Sequence, residues 1–208
     1  NFFGNLAGYS GTRGNQNNAF GYYAMSINQG TNNVAMGHNA MEGEAGADND
    51  ESVGIGAYAL RNISGTADMN TAVGYGAMQG AGTGITSAGQ YNVAVGNNAL
   101  DANTTGADNV AMGYNCLSAA TTASNNTAIG HKVLEDSTSG AQLVGLGGFA
   151  LTNNTTGKII NLQPKSGANG IIARYEGASE LYYNGNKKFE TTNTGAVVTG
   201  IITATSRV

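Results

Sequence analysis

The chain of 208 residues is poor in cysteine, proline, tryptophan and charged side chains. A single cysteine excludes a framework of intrachain disulfides. Charged residues make up only 11% and form no polybasic run, which argues against nucleic acid as a partner. The sequence also lacks an apolar run long enough to cross a bilayer. Glycine is abundant, with 33 residues, but it does not recur at every third position, so collagen is excluded as well.

What the chain does contain is one nine-residue pattern that recurs nine times, with the first copy truncated. Clear copies at residues 33–41, 92–100 and 109–117 begin Asn-Val-Ala, continue with a large apolar residue and Gly, and end in Met or Leu. We number these positions 1 to 9. The remaining copies are the truncated one around Gly4 and those at residues 17–25, 52–60, 70–78, 126–134 and 143–151. Such a near-fixed period predicts stacked structural repeats.

The residue types within the repeat predict one coil of a β-solenoid. Glycine at position 5 of every copy indicates a turn in which a Cβ would be obstructed. Positions 2 to 4 alternate large, small and large, the period of a strand with one buried face, so we expect the large position 4 residue in the core. The Leu or Met at position 9 is interpreted as part of a second short strand that reaches the same core. Nine coils at about 4.8 Å each would form a column roughly 40 Å tall.

Three positions of the repeat allow alternative interpretations. Asn at position 1 predicts a ladder of stacked side-chain amides, although Asn also suits a left-handed turn. If the large residues at positions 4 and 9 face the core, the small residues at positions 3 and 8 point away from it. Small outward residues favour close contact with an identical chain. The alternative is a coil so thin that these small residues face its own interior.

The repeat ends at residue 151, and different patterns follow. We place a polar connector at residues 152–166, which holds the only proline, and a small module at residues 167–208. Residues 170–175 and 195–204 have strand character, and Asn184, Gly185 and Asn186 form a strong hairpin signal between two further strands. A module of about 40 residues is too small to be stable alone, so we expect several copies to intertwine.

Few residues suggest catalytic or metal chemistry. His38 and His131 share position 6 but are five coils apart, roughly 24 Å, so one chain is unable to join them at a metal. Residues 145–150 imitate a dinucleotide-binding glycine pattern without the helix that should follow. Acidic residues at 42–51 lack EF-hand spacing and are interpreted as a solvated loop. Cys116 replaces Ala at position 8 and is predicted to be buried.

Tyrosine occupies position 6 in three copies, at Tyr22, Tyr75 and Tyr114. An aromatic ring with a polar tip can stack on a sugar, so an exposed stripe of tyrosines would suit a glycan receptor. Contact with a neighbouring protomer explains the same pattern equally well. These three tyrosines are the candidate receptor-binding residues of the sequence.

The copies at residues 33, 70, 92, 109 and 126 resemble the head repeat of trimeric autotransporter adhesins, Asn-Ser-Val-Ala-Ile-Gly. That resemblance covers residues 1–151 and implies an all-β fold: a left-handed parallel β-solenoid, or β-roll, of about nine coils in a homotrimer. Residues 180–200 resemble segments of phage tail-fibre and other virion proteins, in which they link a fibre shaft to further modules. No functional residue is transferred by either resemblance.

Together the repeat and the two resemblances predict a non-enzymatic phage tail fibre, a homotrimeric rod on the outside of the virion. Its expected partners are other tail proteins and a host-surface glycan or outer-membrane receptor, without a cofactor, metal, nucleic acid or membrane insertion. One alternative is the head of a trimeric adhesin on a bacterial surface. Another is a polysaccharide-degrading tail spike, in which acids such as Asp101 and Asp108 meet across protomers.

Overall fold

The computed structural model describes residues 1–9, 14–44, 46–62, 65–80, 89–152, 159–162, 171–174, 179–183, 186–192 and 194–200. These residues form β-strands and turns and contain no helix. All strands belong to one sheet of fourteen, ordered as they occur in the chain. The strands are β1 (Phe2–Phe3), β2 (Asn18–Phe20), β3 (Val34–Met36), β4 (Val53–Ile55), β5 (Thr71–Val73), β6 (Val93–Val95), β7 (Val110–Met112), β8 (Thr127–Ile129), β9 (Val144–Leu146), β10 (Ile159–Leu162), β11 (Ile171–Arg174), β12 (Glu180–Tyr183), β13 (Asn186–Thr192) and β14 (Gly195–Val198).

Strands β1 to β9 are the predicted repeat strands; β2 to β9 each cover positions 2 to 4 of one copy, and β1 covers positions 3 and 4 of the truncated copy. Each pairs with the next in parallel, and the register joins equal repeat positions, as in Ala94 with Ala111 and Val95 with Met112. The chain therefore forms a parallel β-solenoid of about eight turns, which confirms the predicted fold class. Because the register is strict, residues at equal positions of the repeat strands lie in lines along the stack.

The last five strands change the pairing from parallel to antiparallel. Strand β10 pairs in parallel with β9, and β10 to β14 then form an antiparallel meander. Strands β12 and β13 pair so that Tyr183 faces Asn186, which confirms the predicted hairpin. Strand β10 falls within the segment interpreted as a polar connector and was not predicted. Residues 201–204, at the end of the last predicted strand, lie outside the described residues.

The orientation predicted for the repeat strand was wrong. Ala111 at position 3 is fully buried, whereas the neighbouring Met112 at position 4 is 40% exposed. The other coils repeat this arrangement, with Ala or Gly inside and a large apolar residue outside, except the first coil, in which the partly buried Phe2 occupies position 3. The alternative of a thin coil is therefore correct, and the interior holds the small residues of positions 3 and 8 together with Leu or Met at position 9.

The second strand predicted at positions 8 and 9 is also wrong, because this segment is a turn. Position 9 residues such as Leu100 and Leu117 have left-handed backbone, with φ of 56° and 53°. Each donates its backbone N–H to the next coil; that of Leu117 reaches the carbonyl oxygen of Val133 at 3.0 Å. The side chains at position 9 from Met25 to Leu134 are nevertheless buried, as the sequence predicted, and Leu151 is half-buried.

A ladder of buried asparagines runs along position 1, which confirms the amide-ladder interpretation. The Oδ1 of Asn109 accepts the backbone N–H of Asn126 at 3.0 Å and its side-chain Nδ2–H at 3.1 Å. The Nδ2 of Asn109 also donates to the carbonyl oxygen of Ala123 at 2.7 Å. None of the position 1 asparagines has a positive φ, so the left-handed alternative fails. Ser52 replaces Asn in one coil and still accepts from Asn70.

The turn glycines are required by space as well as by conformation. Gly74 has φ of 136°, and a Cβ there would lie 2.5 Å from the carbonyl oxygen of Gly96 in the next coil. Adjacent coils are thus in backbone contact at position 5, which explains why no copy has another residue there.

Candidate interaction surfaces

The first candidate surface is the outer face of the solenoid sheet. The large residues of position 4 lie side by side on it, exposed or half-buried, and Val or Thr at position 2 forms a second, half-buried line in most coils. We call the position 4 line the apolar column. In the solenoid it consists of Phe3, Phe20, Met36, Ile55, Val73, Val95, Met112, Ile129 and Leu146.

This surface replaces the one that the sequence predicted. The buried alanines of positions 3 and 8 are inaccessible to another chain, so the close approach inferred from them does not occur. The apolar column, unlike those alanines, is accessible to another chain. It is a contiguous apolar strip without a charged residue. Strips of this kind mark interaction sites on soluble proteins.

The second candidate surface is a line of aromatic rings beside the turn glycines. Tyr22 stacks on His38 with ring centroids 5.3 Å apart and planes 14° apart. His38 meets the edge of Tyr58, and Tyr58 meets the edge of Tyr75 at 5.5 Å. We call this group the first ring ladder; it covers four successive coils.

A second ring ladder repeats the geometry five coils further along. Tyr114 stacks on His131 at 5.3 Å and 16°, and His131 contacts Phe149 at 5.0 Å. In both ladders the order is tyrosine at position 6, histidine at position 6 of the next coil, and an aromatic ring at position 7 of the coil after that. The same order of rings therefore occurs twice along the stack. Ring pairs at these distances attract one another, so they stabilise the stack.

Each ladder has a glutamate, a cation and an asparagine beside it. Near the first ladder, Arg61 Nε lies 2.8 Å from Glu42 Oε2, and its guanidinium lies 5.2 Å from the centroid of Tyr58. The amide of Asn39 also donates to Glu42. These charged and amide groups add hydrogen-bonding capacity to the ring surface.

The second ladder has an equivalent polar group. Lys132 Nζ lies 2.8 Å from Glu135 Oε1, and Asn115 Nδ2 donates to the same oxygen at 3.2 Å. Hydrogen bonding to Lys132 lowers the pKa of Glu135, and the same bond raises the pKa of Lys132. The two ladders therefore share both their rings and their polar neighbours.

The three tyrosines predicted as receptor-binding residues are all exposed, but they belong to two groups. Tyr22 and Tyr75 lie at opposite ends of the first ladder, and Tyr114 begins the second. Sequence reasoning missed Tyr58 and Phe149, because they occupy position 7 and not position 6. Their aromatic character two residues after the turn glycine was the available signal.

The candidate acids form no comparable constellation. Asp108 is exposed, whereas Asp101 is half-buried with an Oδ1 that has no hydrogen-bond partner among the described residues. Burial raises the pKa of Asp101 to about 6. In the acidic loop, Asp50 Oδ1 accepts the N–H of Thr31 in the preceding coil. Among the residues that the structure describes, no three His, Cys, Asp or Glu side chains are grouped as metal ligands.

Cys116 is buried, as the sequence predicted. Its thiol donates to the carbonyl oxygen of Gly130 at 2.9 Å, and burial raises the pKa of the thiol. A buried thiol with a raised pKa is a poor nucleophile, so Cys116 is a packing residue.

No family model matches the chain, and comparisons with curated proteins and with solved structures likewise return no match. In the described part of the chain, no helix is long and apolar enough to cross a membrane. The apolar column and the ring ladders are therefore the features of the chain that indicate its function.

Proposed function

We propose that this chain is a structural and adhesive fibre module, a homotrimeric rod of a phage tail fibre that attaches the virion to its host. It performs no catalysis. The stack of coils provides stiffness, and surface groups that recur along the rod provide many weak contacts. Three chains in one rod present each contact three times, so avidity replaces high affinity at a single site.

The observation that best supports this proposal is the uncovered apolar column. A strip of large apolar side chains along the whole length of a solenoid is costly to expose to water. Equal chains aligned in parallel would cover it with a strip of the same length and spacing. Three chains around an axis allow each column to face the other two, which closes the assembly without free apolar edges.

The ring ladders are the proposed receptor contacts, with Tyr22, Tyr75 and Tyr114 as their tyrosine members. Each ladder joins apolar ring surface to a glutamate, a cation and an amide, which is a combination that recognises the apolar faces and hydroxyl groups of sugars. The proposed ligand is therefore a glycan on the host surface.

The head of a bacterial trimeric adhesin is the second candidate function. It is favoured by the buried asparagine ladder, because position 1 of the repeat carries the Asn by which the sequence resembles such heads. The genes that surround the coding sequence distinguish the two: virion genes support the tail fibre, and an outer-membrane anchor in the same gene supports the adhesin.

Assembly is tested by placing a charge in the middle of the apolar column. Met112→Asp changes an outward side chain and leaves the coil interior intact, but an unpaired carboxylate in an apolar interface costs on the order of several kcal/mol. We expect the variant to sediment as monomers where the unchanged chain sediments as trimers. Asn125→Asp is the matched control, since it adds the same charge at an exposed residue away from the column. Equal sedimentation of both variants would contradict the proposal.

Receptor contact is tested separately on the assembled rod. Tyr114→Ala should lower adsorption to host cells severalfold without changing the sedimentation of the trimer, because the ring lies outside the column. Asn97→Ala, at the same repeat position between the ladders, serves as the control and should adsorb normally. Unchanged adsorption after loss of Tyr114 and Tyr22 together would exclude the ladders as receptor contacts.

A further inference from the structure

The apolar column does not end with the solenoid. Leu146 of β9 is the register partner of Leu162 in β10, and the partners continue through the antiparallel meander. Directly opposite residues of neighbouring strands lie on the same face of a sheet. Along the register, Leu146 is followed by Leu162, Ile171, Leu181, Phe189 and Val198, so each of the fourteen strands has an apolar residue at this register position.

The two faces of the meander differ in the side chains they carry, although Val197 on the charged face is also exposed. On one face Lys187 forms ion pairs with Glu180 and with Glu190, the second at 3.0 Å, and these contacts raise the pKa of Lys187. Glu180 is only 6% exposed on this face. On the other face the column residues Leu181 and Val198 remain 44% and 40% exposed.

A sheet of one layer buries its apolar face only against another layer. The described part of the chain places no second layer over the column residues of the meander, as the exposure of Leu181 and Val198 shows. The column residues of the meander continue the column of the solenoid. A partner that covers the solenoid column can therefore cover the meander as well.

The area of the strip favours a second copy of this chain as the occupant. Nine solenoid strands at about 4.8 Å, with a strip about 10 Å wide, provide about 400 Å² per copy, half of the roughly 800 Å² that each partner contributes to a standard interface. All fourteen strands extend the strip to about 65 Å and about 650 Å² by the same spacing. The solenoid alone falls well short of a stable interface, and the meander supplies much of the deficit.

We infer that the meander and the solenoid form one continuous interface between copies, in which column residues of β11 to β14 meet their counterparts in the neighbouring chain. This inference rests on the proposed trimer and adds where its interface continues. The meander is then a clamp at one end of the rod, and its stability depends on assembly.

Site-specific crosslinking tests the inference. All variants are made in the full chain with Cys116→Ala, which restores the residue found at position 8 of most other copies. Val198→Cys places a thiol on the column of the meander, and Val197→Cys places one on the adjacent residue of the opposite face, with 52% exposure. Ile129→Cys reports on the column of the solenoid. Each protein is treated with a short bis-maleimide, and covalent chain pairs are counted on a denaturing gel.

We expect chain pairs for Ile129→Cys and Val198→Cys, with at least a fivefold excess of Val198→Cys over Val197→Cys. Pairs for Ile129→Cys without pairs for Val198→Cys would leave the trimer intact and overturn the continuous interface. Equal pairing of Val197→Cys and Val198→Cys would overturn it as well. Absence of pairs in all three variants would contradict the trimer itself, and the inference with it.

Discussion

At the scale of single residues, the most unusual feature is left-handed backbone at residues that have side chains. Position 7 and position 9 adopt it in nearly every coil, as at Lys132 with φ of 55° and Leu134 with φ of 55°. Each such residue costs about 1–2 kcal/mol relative to right-handed backbone. The cost is offset by bonds between coils, since Lys132 donates to the carbonyl oxygen of Tyr114 at 2.8 Å. Stacking therefore determines this conformation.

The same dependence explains why sequence reasoning predicted a strand at positions 8 and 9. Ala and Leu have no preference for left-handed backbone, so the residue types at positions 8 and 9 do not predict a turn. The burial of Leu100 and Leu134 was predictable, because a large apolar residue recurs at position 9. The left-handed backbone that directs these side chains into the core was not predictable.

Asp101 provides a prediction about pH at the residue scale. Its pKa in the folded chain is about 6, raised from 3.8 chiefly by burial, so folding takes up a proton between those values. Stability should fall as pH rises through this window and stay lower above it. Asp101→Asn removes the buried charge, so the variant should resist urea better than the unchanged chain at about pH 8 and equally at pH below about 4.

Urea unfolding at equal protein concentration measures this effect. Asp108→Asn is the control, because Asp108 is exposed and its left-handed backbone suits asparagine equally well. A variant of Asp101 that is no more stable than the unchanged chain at about pH 8 would show that the carboxylate is solvated in the folded chain.

At the scale of the coil, the interior is packed by complementary small residues. Val133 replaces Ala at position 8 of one coil, and Gly145 replaces Ala at position 3 of the next. A Cβ on Gly145 would lie 2.5 Å from Cγ1 of Val133. The two substitutions compensate each other, because the larger residue fills the space that the smaller one leaves.

This pair predicts a strong coupling. Gly145→Ala should destabilise the chain by about 1–3 kcal/mol through overpacking. Val133→Ala should also destabilise it, because it leaves a cavity. The double variant should recover more than about 1 kcal/mol of the summed loss in a double-mutant cycle of unfolding free energies.

Gly148→Ala is the matched control for this cycle. It makes the same change in the same coil, where nothing lies within 4 Å of the added Cβ, and should stay within about 0.5 kcal/mol of the unchanged chain. Additive effects of the Gly145 and Val133 changes would contradict the packing described here.

At the scale of the whole molecule, the repeat period, the parallel stack, the asparagine ladder and the hairpin of β12 and β13 were predictable from sequence. The orientation of the strands was not, because alternation with period two is satisfied equally by either face. The decisive quantity was volume. Alanine at position 3, as in Ala111, fits a coil of about one layer of side chains, whereas Met112 on that side would overfill it.

The candidate surfaces were predictable in part. The tyrosines of position 6 followed from the repeat, but the continuity of each ladder depends on rings at another position, such as Tyr58 and Phe149. The extension of the apolar column into the meander was hidden from sequence because Leu181 and Phe189 meet only through the register of the hairpin.

The central claim is that the apolar column is covered by sister chains, and the mass of the native particle tests it most directly. Native mass spectrometry of the unmodified chain, diluted to low micromolar concentration, should show a particle of three times the 21.0 kDa of one chain. A stable, folded particle of one chain mass under the same conditions would contradict the account.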